Sequence, residues 1–273
     1  MDVSQAGFRP FLLRVSQKSF AGLLVVFSLP LVLLVVLPLF KMVSAPSLAD
    51  MAMTIQDKNV VAAVARSIGC ALSAAFISLV FGTPLAYLLA RKNFRGKRLV
   101  EGIVDLPIMI PHPVIGIAIL SVSGRNYPLG RLLADIGVQL IGTWTGIITV
   151  MLFVGLPFYV NTVKAAVEAV PSRLENVSRT LGASMFSTFF RVTLPLAWRS
   201  VVLGMIMATA RAISEFGAIV IVAYHPMTAP VLIYERFTAY GLKYSQPVAV
   251  WLILISFALF VLMRLFAGKG ERV

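Results

Sequence analysis

Long apolar runs alternate with short polar ones along the chain. From Ala21 to Phe40 the sequence reads AGLLVVFSLPLVLLVVLPLF, without a charge. About 20 apolar residues cross the hydrocarbon core of a bilayer as a helix. The run exceeds the ~7–15 apolar residues of a signal peptide. It therefore reads as a retained span, although VSA at Val43 to Ala45 resembles a cleavage site. Ser67 to Ala90 is a second apolar stretch, closed by RKNFRGKR, Arg91 to Arg98, with five basic residues and no acid. Val100 to Val122 is a third, interrupted by Pro107, Pro111 and Pro113. Prolines remove backbone donors, and inside a bilayer neighbouring groups must make up for them. Further spans are expected from about Thr145 to Val160, Val201 to Ala223 and Val248 to Phe266. The pattern predicts an all-α membrane protein with six transmembrane helices.

The segment 161–200 breaks the pattern. Val163, Ala166, Val167 and Val170 fall at i, i+3, i+4 and i+7, so a helix continues past the fourth span, and Pro171 ends it. Ser172 and Glu175 have the spacing of a capping box. Leu174, Val177 and Leu181 share one face, and Gly182 is placed as a left-handed C-terminal cap. Residues 173–181 are therefore expected to form a short amphipathic helix. Ser184 can cap another, carrying Phe186, Phe189 and Phe190, and Pro195 marks the passage into the fifth span. Isolated helices shorter than about 12 residues are marginal in water, so this one must dock. Its own bundle, the lipid interface and a soluble partner all satisfy that demand.

Composition changes the picture only by confirming the environment. The chain is 59% hydrophobic and 13% charged, against about 25% charged residues in soluble domains. Its net charge of +13 would suggest nucleic acid in a soluble protein. In a membrane protein, Lys and Arg collect on cytoplasmic loops. With both termini inside, 16 of the 24 Lys and Arg fall on cytoplasmic segments and 7 on outer ones, with Arg211 left within the fifth span. The division explains the basic balance without nucleic acid and places 161–200 in the cytoplasm. Expected boundaries are a cytoplasmic segment 1–19, a six-helix domain 20–266 with a core from about 64, and a cytoplasmic tail 267–273. Cys70 is the single cysteine and the two histidines, His112 and His225, sit beside prolines. They read as turn residues. No metal site, nucleophile–base pair or cofactor site is indicated.

Gly182, nine residues, then Val192-Thr193-Leu194-Pro195 resembles the cytoplasmic signature of ABC importer permeases, written E-A-A, three residues, G, nine residues, I-x-L-P. The E-A-A positions are Asn176-Val177-Ser178, and Glu175 lies one place early, which argues against an essential role for that acid. The resemblance covers about Ser67 to Phe266. It implies the type I ABC importer permease fold, in which the short helix is a coupling helix seated in a groove of a separate ATPase. The residues it implicates are Arg173, Leu174, Glu175, Val177, Arg179, Thr180, Leu181, Gly182, Ala183 and Ser184. It further implies a homodimer, two ATPase copies, and an extracytoplasmic substrate-binding protein docked on the 123–143 and 224–246 loops. The chain itself has no G-x-x-x-x-G-K-[ST] phosphate loop, so ATP hydrolysis is expected in the partner.

Within GMIMATARAISEFGAIVIVAYHP, Gly204 to Pro226, Gly204, Ala208 and Ala212 recur every four residues and let a helix approach closely. Arg211 and Glu215 lie four apart. Ionisable groups inside a membrane usually face a bundle interior or a water-filled path. Arg211, Ser214 and Glu215 are thus candidates for the translocation route, with an ion pair that only fixes packing as the alternative. ISEFGA, TAPVLIYERF and VEGIVDLPIMIPHPVIGIAIL resemble the molybdate, tungstate and sulfate permeases. Tyr224-His225-Pro226 and Tyr234-Glu235-Arg236 are most similar to the molybdate/tungstate type. The resemblance implies ATP-driven import of such oxyanions at the cell membrane. The rival is a proton-coupled secondary transporter using Glu101, Asp105 and Glu215. Glu101 and Asp105 otherwise read as charges near the cytoplasmic headgroups or as gate residues.

Overall fold

The computed structural model describes residues 17–124 and 126–268. Of the expected end segments, residues 1–16 and 269–273 lie outside the described residues. The chain divides after Pro46 into two compact units. The first holds α1, Gln17–Ser44, with Pro30 and Pro38 inside it. Its large apolar side chains from Leu23 to Phe40 are exposed, and a helix apolar all round suits lipid.

The second unit is all-helical among the described residues. It contains α2 (Leu48–Gln56), α3 (Lys58–Arg91), α4 (Lys97–Met109), α5 (His112–Ser123), α6 (Pro128–Asp135) and α7 (Trp144–Ala169). Then follow α8 (Ser172–Thr180), α9 (Met185–Ile213), α10 (Ile219–Val222), α11 (Ala229–Tyr240) and α12 (Leu242–Gly268). Together with α1, five helices are long and apolar enough to cross a membrane, and α4–α5 form a pair bent by 116°.

Two contacts set the path of the chain. Arg91, at the end of α3, donates to the Val170 carbonyl just past α7 at 2.7 Å. The Arg66 guanidinium, near the start of α3, lies 5.4 Å from the ring centroid of Trp144, the first residue of α7. So α3 and α7 run parallel, and the α4–α5 pair must carry the chain back across between them. The third span is thus not a kinked rod but two helices meeting at a sharp corner. Ile110 and Pro111 are extended there, with ψ of 133° each. Residues that precede prolines avoid the helical region, and Ile110 precedes Pro111 while His112 precedes Pro113.

The fifth span also departs from expectation. Rather than 201–223, the helix occupies Met185–Ile213. It begins early because Ser184 Oγ accepts the Ser187 N–H at 3.1 Å, which is the cap expected from sequence. The Phe189–Thr193 turn is a π-turn inside this helix, and Ser78–Gly82 is another inside α3. Such turns bend helices. The α3 π-turn leads into Thr83, whose hydroxyl is 2.6 Å from the Tyr159 hydroxyl of α7. Tyr159 is fully buried.

The small residues of α9 do what their spacing predicts. Ala208 and Ala212 are buried in the core. A methyl group at Gly155 of α7 would stand 3.1 Å from the Ala208 carbonyl, and one at Gly204 would stand 3.2 Å from the Tyr159 ring. The α7–α9 contact therefore has no room for a larger residue. Gly155→Leu is expected to lower stability by roughly 1–3 kcal/mol through overpacking, read as a lower melting temperature of the detergent-solubilised protein.

Candidate functional site

At the Arg91 end of the bundle, α8 lies across the junction of α7 and α9. Its apolar stripe faces away from the protein: Leu174 is 44% exposed, Val177 50% and Leu181, just past the helix, 82%. The residue it buries is Glu175, at 8%. Arg173 and Arg179 are exposed on the same helix. This is the reverse of a helix packed on its own core.

Glu175 corrects one expectation. The Ser172–Glu175 capping box does not form, because Pro171 occupies the N-cap and no side chain caps the helix. Instead the Glu175 carboxylate turns inward. Its Oε1 accepts from Arg91 Nε at 3.0 Å and from the Thr193 hydroxyl at 2.7 Å. The acid lies one place early relative to the family pattern and is held by these two partners. It ties α8 to the end of α3 and to the π-turn of α9. Removing one member of a buried pair strands the other, at a cost of about 3–5 kcal/mol in full burial. The Arg91 side chain is 14% exposed, so the lower end applies. Glu175→Ala is expected to loosen α8, detected as faster amide exchange over 172–184 than in the unmodified chain.

The C-terminal end of α8 follows its sequence. Gly182 has φ of +89°, a left-handed conformation that glycine adopts without strain. Its N–H donates to the Arg179 carbonyl at 3.0 Å, and the Ala183 N–H donates to the Ser178 carbonyl at 3.1 Å. A groove of about 590 Å³ beside it is lined by Asn176, Arg179, Thr180, Ala183, Ser184 and Met185. Phe186 is exposed next to Phe190 with ring centroids 4.6 Å apart. Phe189 packs inward, edge-on to Tyr87 of α3 at 5.0 Å.

The second cluster forms where α9 stops. Arg211 and Glu215 do not share a continuous helical face, since α9 ends at Ile213 and the turn that follows folds Glu215 back. Glu215 is buried, with 1% side-chain exposure. Its Oε2 accepts from Arg211 Nη2 at 3.1 Å and lies 2.7 Å from His112 Nδ1; its Oε1 accepts the Ala218 N–H at 3.0 Å. Arg211 Nη2 lies 2.8 Å from His112 Nε2. Read as a network, Nδ1–H donates to the carboxylate and Nε2 accepts from the guanidinium. The Ser214 hydroxyl donates to the Arg211 carbonyl at 3.0 Å. Arg211 and His112 keep 21% and 39% side-chain exposure, so the cationic side of the cluster is open while the carboxylate is sealed behind it.

His112 is thus more than the turn residue expected. It opens α5, held between Pro111 and Pro113, and a methyl group at Gly217 would stand 3.0 Å from its Cβ. The two flanking prolines marked a rigid turn, but nothing near His112 in sequence marked a partner 103 residues away. Arg91 was hidden the same way inside a basic loop. Glu101 and Asp105, considered for gating or proton relay, are engaged with α7. Lys164 donates to Glu101 at 2.5 Å, and Asn161 to Asp105 at 2.7 Å.

The family model for the binding-protein-dependent transport system inner membrane component matches residues 82–269. The molybdate/tungstate transport system permease protein WtpB of Pyrococcus abyssi is 48% identical over 218 residues, covering 80% of this chain and 83% of that protein. Its namesake in Methanocaldococcus jannaschii is 44% identical over 248 residues, covering 90% and 96%. Among solved structures, a bacterial ABC transporter involved in the import of the acidic polysaccharide alginate superposes with a TM-score of 0.68. It is 16% identical and covers 93% of this chain and 97% of that one, a likeness of fold.

Proposed function

This chain belongs to the family of binding-protein-dependent transport system inner membrane components, and from that premise we propose that it is the transmembrane permease subunit of an ATP-driven importer for molybdate/tungstate-type oxyanions. It is a multi-pass membrane protein, and the chemistry of ATP hydrolysis belongs to a separate ATPase. A substrate-binding protein outside the cell delivers the anion, and two copies of this chain face two ATPase copies.

The observation that carries the coupling role is the inverted amphipathicity of α8. A short helix that buries its acid and exposes Leu174, Val177 and Leu181 needs an apolar partner surface. The ATPase groove supplies it. Arg173, Arg179, Thr180, Ala183 and Ser184 would frame that contact, with Gly182 allowing the chain to turn close against the partner. This end of the bundle is then cytoplasmic, and the Arg66 end extracytoplasmic. Arg211, Ser214 and His112, backed by Glu215, are the proposed path residues. The exposed guanidinium, held in place by the imidazole, suits an oxyanion, and the buried carboxylate limits how tightly it holds one.

The reading is tested by uptake of labelled tungstate and molybdate into proteoliposomes containing this chain and its ATPase, with the binding protein outside. Uptake requiring both ATP inside and binding protein outside is the expected result. Uptake without ATP that follows a proton gradient would replace it with the secondary-transporter reading. Competition by sulfate ranks the sulfate alternative.

A further inference from the structure

At the end of the bundle opposite α8, a cavity of about 490 Å³ opens beside the start of α3, the turn at His225 and α11. Arg66 stands 25 residues before Arg91 on α3, so roughly 37 Å separates the two at 1.5 Å per residue. The cavity shares no lining residue with the Arg211 cluster. Its polar wall is Asn59, Arg66, His225, Glu235 and Arg236.

The charges on that wall are unequally committed. Arg236 is paired with Asp57 at the foot of α3. Arg66 has no carboxylate within ion-pair distance among the described residues. One of its terminal nitrogens, Nη1, donates to the Met227 carbonyl, and the guanidinium lies over Trp144. Its Nε is buried with no acceptor among the described residues. A buried donor without an acceptor carries its full desolvation penalty, larger still for a charged group. A half-buried guanidinium held by one carbonyl and an aromatic face, on the wall of a cavity, is short of acceptors. The exposed imidazole of His225 and the amide of Asn59 add donors on the same wall. Glu235 on the same wall opposes the anion and keeps the site weak.

We propose that this cavity is an entry site where a tetrahedral oxyanion dianion rests on Arg66 between release from the binding protein and passage through the bundle. The inference rests on the function proposed above. A guanidinium offers paired N–H donors that match an oxyanion's edge, and a site that must pass its ligand on has to bind it loosely. A phospholipid phosphate shares this chemistry, and the lipid arm of the test separates the two.

The test uses the full chain assembled with its ATPase in phosphatidylcholine nanodiscs, without binding protein. Tungstate is equilibrated across a dialysis membrane and bound tungsten is counted by mass spectrometry. Saturable binding competed by molybdate is expected. It should weaken at least tenfold in Arg66→Ala and severalfold in His225→Ala, and be unchanged in Arg264→Ala, an exposed arginine on α12. Binding that survives Arg66→Ala, or that disappears in Arg264→Ala, overturns the entry site. Should Arg66→Ala fail to assemble, His225→Ala decides alone, since its side chain makes no hydrogen bond among the described residues. Loss of tungstate binding when phosphatidylglycerol replaces the neutral lipid would assign the cavity to a headgroup instead. Uptake of tungstate dependent on ATP and binding protein, with no tungsten bound in nanodiscs, removes the entry site and leaves the proposed function standing. Uptake of neither tungstate nor molybdate removes the proposed function itself.

Discussion

Gly182→Glu is expected to abolish ATP-dependent uptake while the chain still inserts and folds. Strain and docking respond differently to this substitution. Gly182 has φ of +89°, and a Cβ added there meets nothing within 4 Å of its own fold. Any side chain at that φ costs roughly 1–2 kcal/mol, too little to unfold a membrane bundle. The new carboxylate, however, projects from the turn between the exposed Leu181 and the groove at Ala183 and Ser184, into the space proposed for the ATPase. Burying an unpaired charge against that partner costs far more than the strain does. Gly182→Ala carries the strain without the bulk or charge and should keep most of the uptake. The measurement is uptake together with co-purification of the ATPase. Full uptake by Gly182→Glu, with the ATPase bound, would remove α8 from the coupling role.

Arg211→Ala is expected to cut uptake by at least tenfold in an assembled complex. The substitution takes from Glu215 its guanidinium partner and from the proposed path its exposed cation. The carboxylate is left with His112 and the Ala218 N–H. Breaking a buried pair from one side costs about 3–5 kcal/mol, reduced here because the Arg211 side chain is partly exposed. Stability loss alone could therefore mimic a transport defect. The double variant Arg211→Ala with Glu215→Gln distinguishes the two. It removes the unpaired charge and should recover thermal stability. If uptake recovers with stability, the pair only fixes packing. If uptake stays low in a stable complex, Arg211 contacts the anion.

Much of the architecture was legible in the sequence because its signals are local. The charge-free run at 21–40, the cap at Ser184, the left-handed turn at Gly182 and the four-residue spacing of Gly204, Ala208 and Ala212 each act within one or two helical turns. They depend on backbone geometry and solvent, which residue type alone reports. The apolar stripe of α8 was equally plain as a stripe. Its direction was not, since hydrophobic spacing gives the face of a helix but not the neighbour it meets.

What lay beyond reach was set by distant parts of the chain. Where α9 ends is decided by Glu215 folding back to His112 and the Ala218 N–H, a contact that hydropathy through Ala223 conceals. The corner at Ile110–Pro111 was marked by prolines, but its 116° bend follows from the need to return between parallel α3 and α7. Glu175 reads as a capping residue until packing delivers Arg91 and Thr193 to it. By itself the sequence determined that this chain spans a membrane, that it carries a short amphipathic helix between two spans, and where that helix turns. Only the tertiary structure decided which acid is buried, which cation opposes it and which side of α8 remains free, because charge pairing over 84 or 103 residues is fixed by how the helices pack.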